Sequence, residues 1–407
     1  MRGTSYASWR VRRLVVALAA AGGACGPSEP TPVIYPSTTE AARRTLELEF
    51  VRSLAVSPEP SLRPDERGAV ASDPARGLIY AGGRDGALLA LESDRGVVVW
   101  EHKFSGAIGS EPLLLAAEGV LLVGTANGVL TALDLERRAP RWAYETQGTI
   151  MNRPLVAEGV VYFANSRDQV FALDVRTGAW RWQYEQPFAK DFTVQGRAGL
   201  AYVDDIDPTI PEGGMIITGF DSGKVVAIGA SSGEPLWITS VAATAETTFI
   251  DADGTPWVDR AQGVVVVSGH STGVYGLGLV DGQQRWFRPV RGASSVVGAA
   301  DGALVFSSSL EGLFALEPGG RLRWRQQHDP GVLSTPLIVD DVVYVGHSES
   351  GLWGYDLNTG ELLARLDVGS GVSGQPVYDP ATRRLFAISN RALLLVYRVV
   401  GGVLERS

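Results

Sequence analysis

The sequence predicts an all-β chain, an eight-bladed β-propeller of four-stranded blades whose ring is closed by a strand from the N-terminal side. Three observations predict it: a repeated phrase, a tryptophan that returns at one place in that phrase, and a composition suited to turns. The phrase is a Gly-containing turn, an apolar strand ending in Ala-Leu-Asp or a variant, a second turn, and Trp. It first reads RDGALLALESDRGVVVW (Arg84 to Trp100) and then ANGVLTALDLERRAPRW (Ala126 to Trp142). Copies follow at Ser166–Trp182, Phe220–Trp237, His270–Trp286, Leu310–Trp324 and Ser348–Arg365, and an eighth, Ser389–Val399, stops before its Trp position. Residues 66–399 divided into eight give about 42 residues per unit, the length of one propeller blade. A single small sheet cannot bury both faces alone, so such units stack radially.

The repeat explains most of the conspicuous residues. Trp100, Trp142, Trp182, Trp237, Trp286 and Trp324 recur at spacings of 42, 40, 55, 49 and 38 residues. A large ring at one position per blade is expected to pack between neighbouring blades; stacking of all six on a carbohydrate or cofactor is the alternative. Glycines such as Gly86 and Gly128 permit positive φ in two-residue hairpins. With 49 Gly and 22 Pro in 407 residues, the composition suits many short strands. The formal net charge of −9 and the lack of a basic stripe argue against nucleic acid as a partner.

Taken in order, residues 1–24 read as a signal peptide: Arg2, Arg10, Arg12 and Arg13 precede the apolar run Leu14–Ala21, and Gly22-Gly23-Ala24 lead to Cys25. Cys25 is the only cysteine, which excludes an internal disulfide, and its setting resembles a lipoprotein lipobox with Gly22 where that pattern prefers Leu. Lipidation at Cys25 is expected; a plain signal peptide with an incidental Cys is the alternative. Cleavage before Cys25 would leave 32 basic against 45 acidic residues, a net charge of −13. Residues 25–42, rich in proline at the start, read as a lipidated N-terminus and flexible tether. Residues 43–399 form one propeller domain, and 400–407 a tail. Because the eighth repeat lacks its outer strand, Thr45–Arg52 is expected to supply it, with Leu46, Leu48 and Phe50 on one face and Glu47, Glu49 and Val51 on the other.

Catalytic and metal motifs are not convincing. Gly269-His270-Ser271-Thr272-Gly273 matches a nucleophile elbow by letter, but falls on a hairpin where that motif needs a strand-to-helix turn. His270 and His347 occupy corresponding turns two blades apart, and no histidine has metal-site spacing. Asp204-Asp205-Ile206-Asp207 with Glu212 lacks the order of a calcium loop and reads as a solvated insertion in the fourth blade, beside the presumed binding face. The expectation is therefore no catalytic residue, no metal and no cofactor.

The repeats resemble those of quinoprotein (PQQ-type) propellers, but the adjacent cysteines of their alcohol dehydrogenases are absent. A narrower resemblance, covering nearly the whole chain, is to the BamB lipoproteins of the outer-membrane β-barrel assembly machinery. It is carried by FTVQGRAGLAY (Phe192 to Tyr202), GGMIITGFDSGKVVAIGASSGEPLW (Gly213 to Trp237) and ETTFIDADGTPWVDRAQGVVVVSGHSTG (Glu246 to Gly273). Phe192-Thr193-Val194-Gln195-Gly196 stands where that family has a Leu-x-Leu-Arg-Gly-like strand. Asp251-Ala252-Asp253-Gly254-Thr255-Pro256 stands at its Asp-x-Asp-Thr-Thr-Pro-like loop.

The resemblance implies a non-catalytic scaffold at the periplasmic face of the outer membrane, anchored by its N-terminal lipid. It would bind a POTRA domain of a BamA-like subunit, join other Bam subunits and assist insertion of outer-membrane proteins. Gly26, rather than Asp, follows Cys25, which favours the outer membrane by analogy with enteric sorting. Carried over by position, Phe192 and Val194 are apolar anchors, and Asp251 and Asp253 present carboxylates to cations of the partner. Gln195 replaces the family's Arg and brings no charge; Arg197 is the candidate substitute. Blade core for the apolar pair and turn formation for the aspartates are the plainer readings of the same residues. A periplasmic quinoprotein holding PQQ or another small ligand on the propeller axis is the alternative function.

Overall fold

The middle two strands of each repeat are mostly apolar and mostly buried, Val264–Gly269 at every residue, whereas the outer strands alternate exposed and covered positions. That contrast is what a sheet sandwiched between two others demands, with only its outermost strand reaching water. The computed structural model describes residues 45–54, 70–186, 198–204, 209–241, 251–252 and 254–400. They form eight four-stranded antiparallel sheets, each in simple sequential order except the last.

The first blade holds Val70–Asp73, Leu78–Gly82, Ala87–Glu92 and Val98–Lys103. The second holds Leu113–Leu115, Val120–Gly124, Val129–Asp134 and Ala139–Glu145; the third Leu155–Ala157, Val160–Asn165, Gln169–Asp174 and Trp180–Glu185. The fourth is Ala201–Val203, Met215–Gly219, Lys224–Gly229 and Pro235–Ser240; the fifth Trp257–Asp259, Val264–Gly269, Gly273–Gly278 and Gln284–Pro289. The sixth is Val297–Gly298, Leu304–Ser308, Gly312–Leu316 and Leu322–Gln326; the seventh Leu337–Val339, Val342–His347, Gly351–Asp356 and Leu362–Asp367. In the eighth, Val377–Asp379, Arg384–Ile388 and Leu393–Val399 are completed by Leu46–Ser53. First strands of neighbouring blades lie beside one another, and Val70–Asp73 meets Val377–Asp379, so the first strands line the axis and the ring closes.

The apolar core is accordingly not one mass but eight layers, one per blade interface. The closing layer joins Val70, Ile79 and Leu91 of the first blade to Phe386, Leu394 and Val396 of the eighth.

The repeated phrase now has a physical meaning. Ala90, Ala132, Ala172, Ala227 and Ala315, with Gly276, each stand opposite the blade's Trp, where a small residue leaves room for the ring. The Asp that ends the phrase caps the next turn. Asp134 Oδ1 accepts from the amides of Glu136 and Arg137, and Asp174 Oδ1 from those of Arg176 and Thr177. The Arg137 amide and the Arg141 guanidinium hold the Asp134 carboxyl at about 2; the Thr177 hydroxyl and Arg181 do the same for Asp174. Each Trp packs on the following blade, as expected of an inter-blade residue. Trp142 Nε1 donates to Val175 O at 3.0 Å, and Trp324 Nε1 to Leu357 O at 2.7 Å. The second blade carries Arg138, with φ 55°, at the turn position where the third has Gly178, and its guanidinium lies 5.9 Å from the Trp100 ring.

The N-terminal closing strand is present where the missing outer strand called for it. Its face pattern departs from strict alternation, because the register shifts between Leu48 and Phe50. The bulge turns Phe50 onto Gly96 of the first blade, leaves Leu48 exposed, and lets Glu49 pair with Arg384 at 2.6 Å.

Candidate docking face

Because strands alternate in direction, the ring has two ends. At one, here the upper face, second strands turn into third strands and outer strands cross to the next blade. At the other, the lower face, first strands turn into second and third into outer. Both segments singled out by sequence are blade-to-blade crossings of the upper face: 186–200 runs from the third blade to the fourth, and 241–256 from the fourth to the fifth. Cys25, Phe192, Val194, Gln195, Arg197 and Asp253 lie outside the described residues.

The described ends of the two crossings meet. Thr218 Oγ1 donates to Gly199 O at 3.0 Å, and the Ala252 amide donates to Phe220 O at 3.1 Å. Gly199 lies so close to Thr255 that a Cβ there would run into the threonine hydroxyl, which explains the glycine in Ala198-Gly199-Leu200. The end of the fourth blade's second strand and the turn after it, Thr218–Gly223, is thus a shared platform for both segments.

Asp251 is turned inward. It is 7% exposed, and its Oδ1 accepts the His270 amide at 2.7 Å. It thereby ties the crossing to the Gly269–Gly273 hairpin, whose flanking strands pair through Gly269 opposite Gly273, so the nucleophile-elbow lettering sits on a β-turn. His347, one residue earlier in its own hairpin than His270, is buried. Its ring stacks on Trp353 at 4.4 Å, and Nδ1 accepts from Ser350 Oγ at 2.9 Å. Burial lowers its pKa, so it serves as a neutral packing residue.

The acidic insertion is placed differently from the sequence expectation. It joins the first and second strands of the fourth blade and therefore opens on the lower face, away from the two crossings. Its described end Asp204 pairs with Arg260, on the same lower turn of the fifth blade, at 2.6 Å. Strand direction, which composition does not reveal, decides this.

Sequence reasoning missed a crevice between the third and fourth blades at the same platform, lined by Asn165, Asp168, Thr218, Phe220 and Asp221. The available signal was a missing glycine: where other hairpins read Asp85-Gly86 or Asn127-Gly128, the third has Arg167-Asp168, and Asp168 adopts φ 56°. For an axial PQQ site the residues do not fit the metal that accompanies it: among the described residues no group of three His, Cys, Asp or Glu side chains converges to hold an ion.

An eight-bladed propeller whose first six blades each dock a repeat Trp on the next, with paired crossings on one face, places this chain in the class of quinoprotein-like propellers. Within that class it belongs to the BamB family. A family model described as outer membrane protein assembly factor BamB matches residues 84–318 and 281–392, together more than half the chain. Among relatives, an outer membrane protein assembly factor BamB of Legionella pneumophila (strain Paris) is 25% identical over 186 residues, 44% of this chain and 47% of that protein. The chain thus spans about half the length of the curated relative it matches. The crystal structure of BamB from Moraxella catarrhalis superposes with a TM-score of 0.71 at 19% identity, covering 87% of this chain and 99% of that one. A quinohemoprotein alcohol dehydrogenase from Pseudomonas putida gives a TM-score of 0.66 at 14% identity, covering 93% and 79%. At these identities, both structural likenesses speak to the fold alone.

Proposed function

We propose that this chain is a non-catalytic scaffold of the outer-membrane β-barrel assembly complex. It is held at the periplasmic face of the outer membrane by a lipid on Cys25. It docks a POTRA domain of a BamA-like subunit, alongside other Bam subunits, and so assists insertion of outer-membrane proteins. The observation that supports the reading best is the meeting of the two crossings: Gly199 and Thr255, from segments more than 50 residues apart, touch over one hairpin of the fourth blade. Loops fixed at their bases by a rigid ring make a defined recognition surface. In this reading Phe192 and Val194 supply apolar anchors, Gln195 and Arg197 polar contacts, and Asp253 a carboxylate, while Asp251 fixes the loop that presents it.

The test is a mild-detergent capture of the native tagged protein, comparing wild type with the Asp251→Ala/Asp253→Ala variant after circular dichroism establishes that both are folded. Recovery of a BamA-like subunit with wild type and its loss with the variant is the expected result. If neither captures a barrel-assembly subunit, the scaffold reading fails, and titration of the purified propeller with PQQ and calcium decides the quinoprotein alternative.

A further inference from the structure

The crevice between the third and fourth blades holds a carboxylate that the fold leaves half-served. Asp168 is 9% exposed, and only its Oδ1 is engaged, accepting the Asp221 amide at a long 3.3 Å. Its second oxygen receives no hydrogen bond among the described residues. The neighbouring polar groups are already committed: Asn165 Nδ2 donates to Gln169 Oε1, Ser166 Oγ accepts the Thr149 amide, and Thr218 Oγ1 is used by Gly199 O. Among the described residues, the charged groups about Asp168 are Asp221, also buried; Glu185, reached through Gln169; and Arg167, whose guanidinium turns away to Gln147 Oε1 at 2.6 Å. Burial accordingly raises the Asp168 carboxyl to about 6, leaving it mostly ionised at neutral pH. An ionised carboxylate buried without a counter-charge is costly, and the cost is relieved by a cation.

The space suits the tip of a side chain. The crevice is narrow and open to solvent at its mouth, and Met151, Ala198 and Phe220 give it apolar walls, so it admits the end of an extended side chain rather than a whole small ligand. It opens at the meeting point of the two crossings, through the same Thr218–Asp221 segment.

We propose that this crevice is a binding site for one cationic side chain of the docking partner, an arginine or lysine, with Asp168 as its counter-charge. The proposal rests on the scaffold reading for the identity of the partner, but not for the chemistry of the site. Arginine suits it better, because its planar fork can meet the carboxylate while its stem lies on the apolar walls.

The site is tested on the full-length protein in detergent micelles by amide NMR. The probes are N-acetyl-arginine methylamide, its neutral citrulline counterpart, and calcium chloride. The expected result is saturable shifts at Asp168, Asp221 and Thr218 with the arginine probe only, weakened at least about tenfold by Asp168→Asn, as the loss of a charge-assisted pair predicts. Asn keeps the left-handed backbone and the Oδ1 acceptor, so the variant should fold. Saturating arginine should also move the Asp168 titration midpoint downward. Equal response to citrulline, indifference to Asp168→Asn, or response to calcium alone would overturn the site. Failure of wild type to capture a barrel-assembly subunit, with the arginine response intact, would instead remove the partner and leave the site.

Discussion

Trp182 of the third blade lies against Gly233 of the fourth: its Nε1 donates to Ala230 O at 2.8 Å, and a Cβ on Gly233 would sit 2.8 Å from the indole. Gly233 also has φ +75°, so alanine there would meet both backbone strain and the ring. Gly233→Ala should destabilise by about 2–3 kcal/mol, combining the left-handed penalty with overpacking. Gly159→Ala is the comparison, because Gly159 shares the positive φ, +71°, but a Cβ added to it would meet nothing within 4 Å, so the change should cost about 1 kcal/mol. Denaturant midpoints of the two variants measure the difference; equal losses would mean that the Trp contact contributes nothing.

Ring closure makes the next prediction. The eighth blade joins the first through Phe50 on Gly96 and, at the axis, through Ser72 Oγ donating to Asp379 Oδ2 at 2.8 Å across 307 residues. Phe50→Ala leaves an unfilled space where every Trp-bearing blade has an indole, and should cost about 2–4 kcal/mol. Ser72→Ala removes one hydrogen bond and leaves Asp379 with its Thr382 and Ala381 partners, so about 1 kcal/mol is expected. Hydrogen exchange should show the Phe50 loss concentrated in Leu46–Ser53 and Leu393–Val399; a uniform loss around the ring would contradict a local latch.

Much of this architecture was legible because propeller repeats repeat their chemistry. Trp142 and the Asp of Ala132-Leu133-Asp134 appear in the sequence at fixed spacing because each performs one packing or capping task per blade. What escaped was everything set by direction and register. The strand-by-strand alternation that sends the Asp204 insertion to the lower face has no compositional mark, and the bulge at Glu49 broke the expected two-residue period. Asp251 could be found as a candidate, but not its inward orientation, which depends on a hairpin 19 residues later. Asp168 was readable only as a departure, an acid where most sister hairpins place glycine and the eighth places Ala392.

That acid predicts an unusual pH response. The Asp168 carboxyl is raised to about 6 in the folded chain against about 4 when unfolded, so between these values the folded state binds more protons. Stability attributable to Asp168 therefore falls as pH rises from about 4 to 6. The opposite holds for Asp134 and Asp174, held at about 2, whose contribution is lost only as pH drops from about 4 towards 2. Asp168→Asn should stabilise the unliganded protein at pH 7, on the order of 1–3 kcal/mol, and flatten its stability between pH 4 and 6. Denaturation at pH 4, 5, 6 and 7 reads this directly; a variant less stable than wild type at pH 7 would show that Asp168 already has its counter-charge within the chain.

The inward turn of Asp251 separates two ways in which it could serve docking. If its work is to hold the crossing through His270 N, an amide oxygen will do as well as a carboxylate; if its charge meets the partner, it will not. We expect Asp251→Asn to keep capture of the barrel-assembly subunit within about threefold of wild type, since a neutral acceptor retains most of the bond. Asp251→Ala removes the acceptor and leaves the His270 amide unserved in a nearly buried place, so it should loosen the loop and weaken capture about tenfold or more. Asp253→Asn, which changes only charge, should act through the association rate and grow weaker in effect as salt is raised. Affinities of the three variants at low and high salt, about 50 and 300 mM, distinguish the roles. Equal losses for Asp251→Asn and Asp251→Ala would return Asp251 to the interface as a charge.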